Sequence, residues 1–390
     1  MLSVTTSSWS TDVGYVHNER YSFVQEAGYA STSTNGKVDA AFETLTTAFY
    51  SPSWEVKRGK VEFPLSAALF TKNLGNSSSL FGPAIAGGSV LQWQASRQSF
   101  WELKGLGGVA KTYSIVRTDK DYAVDPGFER SAAEPWTLRQ EQFGVGNRYV
   151  LSLFSHIDWR VKREAVRAIH SLPENENSRT VWTGSVLYSQ KLSEADAVSG
   201  GFSLAETEKE VFELGPHRGK SVQGLAKAGY EKIFSEKLMS DFGAEFVFAG
   251  ANDVLSQVNL QSKLVYAMSR HWKMELLARR ANDERALEGR QVLRTEGVLN
   301  TQLRSFSFWN AECKIRVAES QVESFTGQKY DTREIIVEPY FRFLLSNGLG
   351  VGARGLYAHV ANQREPRTNS LRTGVWLTAE WPAEAEKKEL

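Results

Sequence analysis

The residues best placed to do chemistry in this 390-residue chain do not form a catalytic constellation. Gly350, Gly352 and Gly355 fit G-x-G-x-x-G, but that fingerprint binds a dinucleotide only between a strand and a helix, and here it falls inside an alternating strand pattern. Gly105 to Thr112 approaches a P-loop, with Ala110 where the second glycine belongs and no amphipathic helix after it, so it reads as a turn. His17, His156, His170, His217, His271 and His359 are scattered without the i, i+4 spacing of a metal site, and there is no G-x-S-x-G elbow. The single cysteine, Cys313, excludes an internal disulfide framework and a thiolate zinc cluster, and reads as a small apolar side chain on a strand. No cofactor and no enzymatic activity are expected.

What does recur is charge in rows. Asp158, Arg160, Lys263, Lys273, Glu275, Arg279, Glu312, Lys314, Arg316, Glu338, Arg342 and Arg354 fall on the polar side of period-two alternation. Tyr149, Leu151, Leu153, Ile157, Trp159 and Val161 oppose Ser152, His156, Asp158 and Arg160; Trp309, Ala311, Cys313, Ile315 and Val317 oppose Asn310, Glu312, Lys314 and Arg316. The same pattern covers 258–268, 272–279, 335–343 and 371–381. Each stretch is about 9–13 residues, the length a tilted strand needs to cross a bilayer's hydrocarbon.

Elements that would position such rows are strands closed into a barrel. Forty-six basic residues against 45 acidic ones give a net charge of +1, so no global field recruits nucleic acid. No stretch reaches the roughly 18–20 apolar residues of a spanning helix, and the mean hydropathy is −0.36. Barrels escape that test because lipid-facing and lumen-facing residues alternate. The expectation is an all-β fold, a closed antiparallel transmembrane β-barrel of about 14–18 strands, first strand paired with last. It occupies residues 1–381, with 382–390 a polar tail. In this reading the twelve charged residues line the lumen, their mixed signs favouring a neutral path or bracing ion pairs over strong ion selectivity. Lys314→Glu should then change selectivity. The same alternation also suits the wet face of an open sheet.

Short turns are expected at 51–53, 193–195, 235–237, 269–271 and 346–348, and long charged links at 118–140, 162–180, 204–220, 279–291, 318–333 and 361–370. Residues 163–172 suit a short helix within a loop, and residues 64–90 and 118–148 carry weak periodicity. Pro339 predicts a bulge, as does Gly59, where the apolar parity changes. Tyr50, Trp54, Tyr149, Phe234, Tyr266, Trp272 and Trp381 suit interfacial girdles. The opening residues lack the basic and apolar regions of a secretory signal peptide.

The closing run Thr373 to Trp381 resembles the last strand of Gram-negative outer-membrane barrels, and the strand–turn–strand plan around Leu345 to Leu349 is similar to porins and polysaccharide-export channels. That resemblance implies a bacterial outer-membrane pore or export channel with membrane lipid as its surroundings. Arg372, Gly374, Leu377 and Ala379 also resemble the sorting signal of mitochondrial barrels, which leaves a mitochondrial or plastid outer membrane as the alternative. A second functional class is a non-conducting scaffold that holds a periplasmic or intermembrane-space partner protein, and a third is an outer-membrane enzyme with a site at the loop rim.

Overall fold

The computed structural model describes residues 5–10, 16–35, 37–56, 58–74, 78–112, 136–169, 176–212, 216–249, 257–285, 290–304, 308–323, 329–346, 349–362 and 368–381. The strands are β1 (Thr5–Ser10), β2 (Val16–Thr34), β3 (Lys37–Val56), β4 (Gly59–Glu62), β5 (Leu65–Leu74), β6 (Ser78–Gln94) and β7 (Ser99–Thr112). Next come β8 (Trp136–Ser152), β9 (Ser155–Ile169), β10 (Glu176–Lys191), β11 (Asp196–Phe212), β12 (Pro216–Ser235) and β13 (Leu238–Ala249). The chain ends with β14 (Val258–Ala267), β15 (Trp272–Arg285), β16 (Arg290–Arg304), β17 (Trp309–Glu323), β18 (Lys329–Ser346), β19 (Leu349–Asn362) and β20 (Thr368–Trp381).

Apart from β4 and β5, successive strands pair antiparallel, and β20 returns to pair with β2 from Phe23↔Trp381 to Thr34↔Ser370. The result is a closed 18-strand antiparallel β-barrel. Two features reconcile that number with the strand list. β4 and β5 form one stave, because the pairing of 59–74 with β3 and β6 keeps a single register across Phe63 and Pro64. The interruption is chemical: Pro64 has no N–H to donate, although its carbonyl still accepts from Gly88 at 3.0 Å. β1 pairs only with β2, at Tyr21 to Val16, on the edge that β20 vacates after Trp381.

Closure is reinforced at the opposite end of that seam. Asn35, between β2 and β3, has φ 49°, the left-handed conformation a two-residue hairpin turn requires. Its backbone N–H donates to the Asn369 carbonyl at 3.0 Å, and its side-chain oxygen accepts from the Asn369 N–H at 2.9 Å. First and last staves are thus tied beyond their ladder.

Side chains directly opposite in a ladder project to the same face, so the register sorts the wall into two surfaces. Phe42, Phe143, Val186, Phe202, Phe246, Leu276, Val317, Phe341 and Leu377 stand outward and exposed. On β17 the apolar outward run from Trp309 to Val317 gives way to Glu319, and on β18 the run from Phe343 to Ile335 gives way to Arg333. About nine residues at about 3.3 Å per residue and a tilt near 40° make a belt of about 23 Å, close to the apolar band of a membrane barrel. The expected girdle residues Tyr50, Trp54, Tyr149, Phe234 and Tyr266 are exposed along the lower edge of this belt, with Trp93 stacked on Trp101 and Trp101 edge-on to Trp159.

Several local expectations are corrected. Ser51, Pro52 and Ser53 lie within β3, which runs on to Val56, and Val56 pairs with Gly59 across the reversal. That reversal, and not a bulge, produces the parity change at Gly59, whose glycine is needed because a Cβ there would sit 2.6 Å from the Gln92 carbonyl oxygen. Pro339 makes no bulge either: β18 keeps one register with β19 on both sides of it, and the ladder simply omits residues 338 and 339. Residues 105–112 finish β7 and residues 163–169 finish β9, so neither a turn nor a helix forms there. The weakly periodic stretches hold β5, β6 and most of β8. Turns at 193–195, 235–237 and 269–271 are present; Asn347 and Gly348 lie outside the described residues, between the paired ends Ser346 and Leu349.

The charged links are corrected in the same direction. β9 and β10 run to Ile169 and from Glu176, β11 and β12 to Phe212 and from Pro216, so most of the stretches assigned to loops is wall. Staves reach 20 residues in β3 and β12. Beyond the apolar belt both faces of a strand meet water, and the alternation that marks it in lipid disappears while its hydrogen bonds continue. Residues 113–135 and the tail 382–390 lie outside the described residues.

Candidate functional site: the inner wall

The register places all twelve charged residues singled out in the sequence on the face opposite the apolar belt. They do not form one cluster. On β8 and β9, Arg148 grips Asp158 with Nε at 2.8 Å from Oδ1 and Nη2 at 3.0 Å from Oδ2, and His156 stands 3.3 Å from the same carboxylate. Arg160 reaches towards Glu102 of β7 at 3.9 Å. On β14 and β15, Glu275 receives Lys263, with Lys273 at 3.8 Å.

The arc from β15 through β20 to β2 is drier. Arg294 of β16 bonds Glu296 at 3.0 Å and reaches past Ala318 of β17 to Glu334 of β18 at 3.1 Å; the Glu334 side chain is 1% exposed. Arg279 extends this network through Glu296 at 3.8 Å. Arg316 and Arg342 are buried beside it, with Ile336, Ala358 and Trp376. Glu312 accepts from Gln302 at 3.4 Å, and Lys314 stands opposite Glu338 in the ladder.

Near the middle of the same arc is a clamp. Arg354 of β19 lies between two aromatic rings, 5.2 Å from the Tyr340 centroid and 5.4 Å from that of Trp376. One of its terminal nitrogens bonds both oxygens of Glu26, at 2.6 and 2.8 Å. Gly374, directly opposite Arg354 in the β19–β20 ladder, lies under the Trp376 ring, where a Cβ would stand 2.2 Å from the ring. Two rings and a carboxylate fix the guanidinium, which remains 41% exposed on its open side. Glu26, Glu334, Glu296, Arg294 and Trp376 are not among the expected lumen residues. Trp376 and Glu334 carry the right parity in the sequence, but partnerships across three staves leave no trace in local spacing.

Among the described residues no group of three or more His, Cys, Asp and Glu side chains is arranged to hold a metal ion. The inner wall is instead a set of paired charges, among them Arg148–Asp158, Lys263–Glu275, Arg294–Glu334 and Arg354–Glu26, which join different strands.

No family model and no curated protein matches the chain. Among solved structures it is similar to OccK7 (OpdD) of Pseudomonas aeruginosa, at 8% identity and a TM-score of 0.50, over 93% of this chain and 98% of that one. It is also similar to the copper transporter OprC, at 11% identity and a TM-score of 0.51, over 87% of this chain and 63% of that one, so it spans less than two thirds of OprC's length. Structural neighbours of the chain are outer-membrane β-barrel proteins, and the likeness is one of fold.

Proposed function

We propose that this barrel is a passive pore of an outer membrane, conducting small polar solutes along its charged inner wall without catalysis. The observation that carries the proposal is an 18-strand closed wall with an apolar belt outside and paired charges inside. Eighteen staves about 4.8 Å apart, tilted about 40°, enclose a cylinder about 35 Å across between backbones, which leaves room for water between facing layers of side chains. The belt requires lipid around it, since so much exposed apolar surface is not kept in water. Paired inner charges hydrate a path without giving it one sign, which suits neutral or zwitterionic solutes. The drier arc braces the wall, and the path runs between the wetter staves β7 to β15 and the open side of the Arg354 clamp. A bacterial outer membrane is the favoured setting.

The test combines gel mobility of detergent-purified protein, unheated and boiled, with conductance in a planar bilayer. A heat-dependent shift with stable conductance is expected. A shift without conductance would replace the pore with a scaffold that holds a partner protein, and solubility without detergent would remove the membrane from the reading.

A further inference from the structure

The apolar belt is not evenly filled. Across six neighbouring staves, β16 to β20 and then β2, the register sets Thr301, Cys313, Pro339, Gly355, Thr373 and Ser31 in one outward row of short side chains. In the row beneath it, Ala311 and Ala353 leave gaps between Leu303, Phe341, Val375 and Tyr29. On β10 to β13, by contrast, the outward row Val186, Phe202, Ala226 and Phe246 is mostly bulky. The result on β16 to β2 is an outward groove of about 780 Å³ with an almost wholly apolar lining. Its floor is firm, because Arg354 stacks between Tyr340 and Trp376 directly behind it on the inner face.

The path of the groove decides what can fill it. Five steps of about 4.8 Å make it about 24 Å long, and a strand tilt near 40° makes it climb about 15 Å through the bilayer. The climb runs from β16 towards β2: Cys313 lies four residues above Trp309, the lower end of β17, whereas Thr373 lies eight above Trp381, the lower end of β20. Six of eighteen staves also wrap about 100° of the circumference. A second barrel, rigid and convex, would touch this wall along a line parallel to the axis and could not follow an oblique groove around it. The lining also falls well short of the roughly 800 Å² per partner that a stable pairing of proteins buries. The chain's own tail, with Glu384, Glu386, Lys387, Lys388 and Glu389, is too charged to lie there. A slender, flexible hydrocarbon chain can follow the curve, and half of a hydrocarbon core of about 30 Å gives one such chain a reach of about 15 Å, the height the groove climbs.

We propose that the groove holds one acyl chain of a membrane lipid, its ester end near Ser31 and Thr373 and its terminal methyl near Cys313 and Thr301. Water is absent on both sides of the exchange, so the hydrophobic effect does not select this chain from its neighbours. Packing does: a chain in the groove meets protein atoms beneath it and on both flanks, where a chain on the bulky part of the belt meets them on one side. The inference rests on the membrane reading given above and adds a ligand of defined chemistry to one part of the wall.

The experiment is photo-crosslinking in nanodiscs of phosphatidylcholine that carries a diazirine near one end or the other of an acyl chain, with the insertions mapped by peptide mass spectrometry. In the intact barrel, insertion along β16 to β2 should exceed that on β10 to β13 about fivefold, the gain from a handful of added dispersion contacts. The probe near the ester should mark β20 and β2, and the probe near the methyl β16 and β17. Ala353→Trp, and independently Ala311→Trp, fill the groove and should bring its labelling down to the level of β10 to β13. Ala226→Trp, outward on β12, should leave the excess unchanged, and the heat-dependent shift reports that each variant is folded. Equal labelling of the two regions in the intact barrel overturns the proposal, as does an excess that survives both groove-filling variants or shows no order between the two probes. Disulfide-linked dimers formed through Cys313 and lost in Ala353→Trp would assign the groove to a second copy and overturn it too. A barrel that stays soluble without detergent and shows no heat-dependent shift overturns the membrane reading itself, a distinct result.

Discussion

Glu26→Gln should turn the inner wall anion-preferring, and the size of the change follows from the clamp. The amide keeps the shape of the carboxylate and can still accept one hydrogen bond, while Arg354 stays between Tyr340 and Trp376. The substitution therefore removes one negative charge without moving the positive one. At about 9 Å in water-like surroundings a unit charge is worth about 0.5 kcal/mol to a passing ion. The term has opposite signs for anions and cations, so their permeability ratio should move about fivefold towards chloride. Screening supplies an internal control: the Debye length is about 10 Å at 0.1 M salt and about 3 Å at 1 M. Reversal potentials across a potassium chloride gradient centred near 0.1 M, where screening over about 9 Å reduces the unscreened fivefold to about twofold, should shift by that smaller factor, and the shift should largely vanish near 1 M. An unchanged reversal potential at low salt would refute the placement of the clamp on the conducting path. A shift of the same size at high salt would show that the substitution rearranged the wall, contrary to the stacking that holds Arg354 in place.

Two further substitutions test the wall itself. Glu334→Ala leaves Arg294 buried with only part of its pairing, and breaking a buried ion pair this way costs about 3–5 kcal/mol; urea unfolding of the vesicle-embedded barrel, followed by tryptophan fluorescence, should show the loss, and a change under about 1 kcal/mol would mean that the pair is hydrated. Cys313→Arg sets a charge at mid-belt and should cost about 2–4 kcal/mol in the same assay, whereas Gln321→Arg, also outward but above the belt on the same strand, should cost about 0–1 kcal/mol; equal costs would refute the assigned height of the belt.

What the sequence discloses about this fold is bounded by where lipid is. Within the belt one face must be apolar, and the parity of Tyr149 to Val161, Trp309 to Val317 and Leu371 to Trp381 is legible because hydrocarbon enforces it. Above the belt the constraint lifts: Glu206, Glu208 and Glu210 stand outward on β11 just as Phe202 and Leu204 do below them, and such a stretch reads as loop although it is wall. Prolines mislead for a related reason. Pro52, Pro64 and Pro339 each remove one donor, which in a soluble sheet would signal a turn or an edge, but in a closed wall the remaining ladder holds the register on both sides. The Asn35 turn carries the strong Asn-Gly signal at residues 35 and 36, yet it separates two staves whose Ser, Thr and Ala content masks their alternation.

For the same reason, the charged residues of the inner wall are legible in the sequence and their partnerships are not. Parity assigns a face, so Arg354, Glu338 and Arg316 can be placed by counting in twos. Pairing depends on which residue stands one, two or three staves away at the same height, and that follows from strand tilt and register, properties of the closed barrel and not of any segment. Arg354 meets Glu26 across 328 positions of chain because closure sets β19, β20 and β2 side by side, and Gly374 on the intervening stave leaves room for the Trp376 ring that Arg354 packs on. A side chain at position 374 would therefore push the Trp376 ring off Arg354 while leaving every local pattern in the sequence intact.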